Sequence, residues 1–148
     1  MNASEQAKSI EFLSKIATVM NLFTSEFPDT SVDLSPWLKN TETAKFDDPD
    51  SIDLAFHFQQ RSFACQSQCI LMQIRLPPAS KANSYRKMSI ELSGHDYTGQ
   101  QWRFDTTRQH VFWGRVLPLP EAEEKLRPLC ITILQLFEPA KKSSTSGQ

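Results

Sequence analysis

A change of hydrophobic period part-way along the chain most constrains the fold. Leu54, Phe56 and Phe58 alternate with Ala55, His57 and Gln59, and Ile70, Met72, Ile74 and Leu76 alternate with Leu71, Gln73 and Arg75. A period of two sends neighbouring side chains to opposite faces of a pleated strand, so each run has one apolar and one polar face. Met88, Ile90 and Leu92 make a third run, Trp102 and Phe104 a fourth, and His110 to Leu117 a fifth. Pro77-Pro78, the stretch from Gly94 to Gly99, and Thr106-Thr107-Arg108-Gln109 separate them. Proline cannot donate to a ladder, and glycine and short polar residues favour turns. In the fifth run Val111, Trp113 and Leu117 share one side and Phe112 and Val116 the other, and the first set is read as the core side.

Helical periodicity brackets this region. Phe12, Leu13, Ile16, Met20, Phe23 and Phe27 recur at spacings of three and four, predicting an amphipathic helix from Ser4 to Phe27. Ser4 is its expected N-cap and Pro28 its stop. Val19 and Leu22 extend its apolar surface, toward deeper burial or a dimer contact. Pro120, followed by Glu121, Glu123 and Glu124, opens a second helix whose buried face is Leu126, Leu129, Cys130, Ile133, Leu134 and Phe137. Pro128 inside it predicts a kink or a start delayed to Arg127. Between helix and strands, Val32, Leu34, Trp37 and Leu38 form an apolar cluster, Ser35-Pro36 predicts a short helix, and Asn40 to Asp50 reads as a surface loop.

The predicted architecture is α+β: an antiparallel meander of about five strands with an N-terminal and a C-terminal helix packed on one face. It spans residues 1–139 as a single domain, with 140–148 a disordered tail. A chain of 148 residues can bury a core of this kind without metal or disulfide. A net charge of -1 and a pI near 6.3 offer no global attraction for nucleic acid or for an anionic membrane, and neither is an expected partner. No secretory signal pattern or membrane-length apolar run is present, which points to the cytoplasm. Cys65, Cys69 and Cys130 are an odd set, read as reduced thiols.

Enzyme signatures are sparse. There are four glycines, none in a phosphate-cradling loop, and no G-x-S-x-G or H-E-x-x-H. Cys65 and Cys69 with His57 and His110 could offer soft metal ligands, but the spacing is loose, and no metal or other cofactor is expected. Asp48, Asp50 and Asp53 begin a calcium-like pattern without its glycine or closing glutamate, and turn and strand entry explain them better. His95-Asp96, near Tyr97, could form an acid/base pair on a loop, but no matching nucleophile is identifiable and a solvated turn accounts for them better.

The polar sheet face carries the main functional expectation. His57, Gln59, Gln73, Arg75, Ser89, Glu91, Arg103 and Asp105 all point away from the helices if the alternation holds. Cross-strand pairs of Glu91 with Arg103 or Arg75 follow. Phe112, an aromatic among these polar neighbours, resembles the anchor of a partner-binding surface, with Arg103, Arg75, Glu91 and His57 around it. The expected function is a non-catalytic protein-binding or assembly domain, a monomer or weak homodimer. One alternative is an apolar-ligand pocket between sheet and helices lined by Phe56, Phe58, Met72, Trp102, Phe104 and Trp113. The other is an enzyme centred on His57, His95 or His110.

Overall fold

The computed structural model describes residues 1–38, 40, 48–77 and 87–138. A single turn of helix, α1 (Ala3–Gln6), precedes α2 (Ile10–Glu26), and α3 (Pro120–Phe137) closes the chain. Between them run β1 (Thr30–Asp33), β2 (Ser51–Ser62), β3 (Ser67–Arg75), β4 (Ser89–Asp96), β5 (Gly99–Asp105) and β6 (Phe112–Gly114). The strands form one antiparallel six-stranded sheet in sequence order, a meander with a helix at either end of the chain.

The core lies where α2 and α3 meet one sheet face. Ile16, Val19 and Phe23 of α2 and Leu126, Cys130 and Ile133 of α3 are buried against Leu54, Phe56, Ile70, Met72, Ile74, Ile90, Leu92, Trp102 and Phe104. Phe23 stacks on Phe56 with ring centroids 3.7 Å apart. The even-numbered strand residues thus supply the core, as the alternation predicts. Val19 is fully buried, so its place beyond the main stripe reflects deeper burial.

Several local expectations are corrected. Ser9, not Ser4, caps the long helix, its hydroxyl accepting from the amide of Phe12, while Ser4 sits in the separate α1 turn with its hydroxyl 2.6 Å from that of Ser35. No helix follows Ser35-Pro36 through Leu38; Trp37 is instead held by Asn2, whose amide oxygen accepts from the Trp37 amide and whose side-chain nitrogen donates to its carbonyl. The segment read as irregular contains β1, which pairs with residues 55–58 of β2. Asp53 lies inside β2, buried, accepting from the Trp37 indole at 2.6 Å and from the Met1 amine at 3.0 Å. The Asn40–Asp50 loop falls largely outside the described residues, as does the 140–148 tail.

The stretch from Gly94 to Gly99 is mostly strand. β4 runs to Asp96 and β5 starts at Gly99, with the Asp96 carboxylate accepting from the Thr98 amide and hydroxyl in the turn between. α3 starts at Pro120 and runs through Pro128 rather than beginning at Arg127.

The largest correction concerns the fifth run. Gln109 and His110 adopt left-handed backbone at φ 56 and 57, and only Phe112–Gly114 pair as strand. Phe112 lies opposite Phe104 and stacks on it, so Phe112 faces the core at 4% exposure and Trp113 faces outward. Both sides of that run are apolar, and only the pairing with β5 decides which is buried.

Candidate functional site

The sheet face turned away from the helices is assembled by register. One row crosses all six strands: Asp33, Ala55, Leu71, Ser93, Arg103 and Trp113 are successive partners. Beside it on one side run His57, Cys69 and His95, and on the other Asp53, Gln73, Glu91 and Asp105, with Arg75 opposite Ser89. Ala55 and Ser93 are buried and Leu71 is half-buried, giving the middle of the face a low, weakly apolar floor.

Glu91 is the electrostatic centre. Its side chain is only 9% exposed, and it accepts from Arg103 at 2.5 Å while Arg75 stands 3.6 Å from its other oxygen. The sequence predicted both pairings. They arise because diagonal neighbours on adjacent strands bring long side chains within reach. Two guanidinium groups thus share one carboxylate, and a second acid, Asp105, lies directly opposite Glu91 in the same row.

Trp113 extends this cluster outward. The Arg103 guanidinium lies 5.7 Å from the centroid of its ring and that of Arg108 lies 5.2 Å from it. Arg108 is exposed and has no acidic partner among the described residues. The Nε of Arg103 is buried without a hydrogen-bond acceptor. Each cation is favoured by the negative ring face.

Of the expected partner-binding set, the structure gathers Arg75, Glu91 and Arg103 into one cluster. It places His57 further along β2, its Nε2 3.7 Å from Asp33. Phe112 is removed from this surface altogether, because its side chain is core. Trp113 takes the outward position, and Arg108 joins it from the β5–β6 turn. Sequence reading missed both because the left-handed pair at 109 and 110 resets the phase of the alternation. Two arginines flanking an aromatic-rich run were the available signal.

Of the six residues expected around an apolar ligand, Phe56, Met72, Trp102 and Phe104 are fully buried in the core, and Trp113 is on the opposite face. Phe58 borders a cleft of about 300 Å³ between the end of α2, the β2–β3 hairpin and the start of α3, which Glu26, Asp29, Glu121 and Lys125 also line.

The residues considered for chemistry stay apart. Cys65 is in the core and Cys69 on the open face, so they cannot share a ligand. No cluster of His, Cys, Asp or Glu suited to a metal occurs among the described residues. Burial raises both thiols to about 11. His95 and Asp96 form no acid/base pair, because successive strand residues project to opposite sides. Asp96 Oδ1 accepts from the hydroxyl and amide of Thr98, which with Arg61 hold its pKa below the usual carboxylate value, and also from the Gln101 side-chain amide. His95 instead lies 2.8 Å from the Ser93 hydroxyl, and burial lowers its pKa despite the nearby Asp96. His110 packs against Phe104, and its carbonyl accepts from Arg127.

Fold and face together define an α+β domain, an antiparallel meander with a long helix toward either end of the chain and an arginine–tryptophan cluster on the sheet face turned away from those helices. Residues 4–139 match the model of a family described as a domain of unknown function, and the chain belongs to that family. No curated protein and no solved structure matches it. No helix among the described residues is long and apolar enough to cross a membrane.

Proposed function

We propose that this domain is a non-catalytic protein-binding module that holds its partner on the open face of the sheet. The observation that carries the reading is Trp113, half-buried on that face with the guanidinium groups of Arg103 and Arg108 over its ring. Tryptophan and arginine dominate binding energy at protein interfaces, because each offers a large contact area and directional donors at modest entropic cost. The buried Glu91 holds Arg103 in place before a partner arrives, which lowers the cost of ordering it on binding. Three thiols, none of them in a disulfide, suit a reducing compartment such as the cytoplasm.

A photo-crosslinking residue at Leu71, tested in the native cell against one at the exposed Ile131 of α3, checks the reading. A discrete adduct from Leu71 that disappears with Trp113→Ala is the expected result. Adducts from Ile131 alone, or none from Leu71, would sink it.

A further inference from the structure

We infer that the cleft between the end of α2, the β2–β3 hairpin and the start of α3 binds a small organic amine, its ammonium group among Glu26, Asp29 and Glu121 and its apolar stem against Phe27 and Phe58. The cleft shares no residue with the cluster around Trp113, so it stands apart from the binding-face reading.

The base of the cleft is apolar and fixed. Phe27 and Phe58 are buried, at 6% and 4% exposure, and meet edge to face with ring centroids 6.2 Å apart. The hairpin wall is pinned twice: the Leu119 amide, just before α3, donates to the Ala64 carbonyl at 2.7 Å, and the Cys65 amide donates to the Ser62 hydroxyl. A volume of about 300 Å³ stands at the lower end of the range for small-molecule sites, so the occupant is small.

The rim decides the charge. Glu26 ends α2, Asp29 lies in the link to β1, and Glu121 stands in the first turn of α3. All are exposed, and none forms an ion pair among the described residues. Lys125 is the one cation that lines the cleft. Three negative charges thus meet one positive, and the α3 N-terminus adds only about half a positive charge, which leaves the cleft anionic.

Lys125 shows which cation the wall accepts. Its Nζ lies 5.7 Å from the centroid of the Phe27 ring rather than on any of the three carboxylates. A cation is drawn to the negative face of an aromatic ring. The chain itself therefore sets an ammonium group on an alkyl stem against this wall, the chemistry of the inferred ligand, and Lys125 competes with that ligand.

The test titrates the ¹⁵N-labelled full chain at low salt with phenethylamine, phenethyl alcohol and phenylacetate, which are similar in shape and differ in charge. It follows the amide signals of Asp29, Ala64 and Ala122. Saturable shifts with the amine are expected, with the alcohol about fivefold weaker or more and phenylacetate weaker still. A unit charge a few ångströms away changes affinity about threefold in water. Glu121→Gln and Asp29→Asn should each weaken the amine by that factor, whereas Lys125→Met, which keeps an apolar stem over Phe27, should tighten it similarly. All three residues are exposed, and the remaining amide signals report whether each variant keeps the fold; Glu26→Gln replaces an acid variant that does not. Absence of saturable shifts with the amine overturns the inference. So does equal affinity for the alcohol, which would make the cleft merely apolar, or tighter binding of phenylacetate, which would make it an anion site at the α3 N-terminus. Weaker amine binding by Lys125→Met overturns it too, because the lysine would then belong to the site rather than compete for it.

Discussion

Gly94 shows how much one missing side chain can decide. It pairs with Trp102 across β4 and β5, and a Cβ built on it would lie 2.3 Å from the buried indole. That indole donates to the Cys65 carbonyl at 2.7 Å, so it cannot move aside without breaking a buried hydrogen bond. Gly94→Ala should therefore lower stability by about 2–3 kcal/mol, read as an earlier urea midpoint at unchanged slope; an unchanged midpoint would show that the ring has room to shift. His95 sets a pH dependence of definite sign. Burial lowers its folded pKa below the ordinary 6.5, so on acidification the unfolded chain takes up the proton first. The associated stability is fully present above 6.5 and is lost as pH falls through that value toward the lower folded pKa. Asp96, whose pKa is lowered chiefly by the Thr98 hydroxyl, contributes stability above the ordinary 3.8 that is lost only below it, so the two windows are separate. Urea midpoints should fall between pH 7 and 5, and His95→Gln should flatten that part of the profile.

At the scale of elements, β1 and the Trp37 segment have a common role. β2 is twelve residues long, and β1 covers its outer edge only at 55–58. Next to it, the edge at Asp53 is met by Asn2 bridging to that residue, with the Asp53 amide donating to the Met1 carbonyl at 2.9 Å. Trp37, locked reciprocally to Asn2, reaches over to the Asp53 carboxylate. Unprotected strand edges invite pairing with other chains, and this arrangement closes one without a longer strand. Trp37→Phe keeps the apolar bulk and removes the indole donor from a buried carboxylate. A loss of about 1–2 kcal/mol in chemical denaturation is expected, and a loss near zero would mean that the Met1 amine holds Asp53 unaided. β1 was not legible because its four residues carry Val32 as their sole large apolar side chain, too little for a period to register. The β5–β6 turn was misread for a related reason: of its left-handed residues, Gln109 does not announce that backbone, and His110, although enriched in it, adopts it too seldom to mark a turn.

For the whole molecule, alternation along the long strands and helical spacing in α2 and α3 were enough to predict an α+β meander under two helices. They also predicted which side of β2 through β5 is core, because burial on one face writes the same period into every strand it covers. Arg75, Glu91 and Arg103 were legible together for that reason, since their phase follows from the apolar residues between them. The rest of the candidate site was not. Phe112 and Trp113 are adjacent, both aromatic and both acceptable to a core, and which one faces out depends on the pairing of Phe112 with Phe104. Arg108 joins the cluster only because the turn folds it back over Trp113. Local pattern thus determined the layers, the order of the strands and the polarity of the central sheet. Tertiary pairing alone decided the edges and the aromatic centre of the open face, because a short strand beside an irregular turn takes its phase from its neighbour rather than from its own sequence.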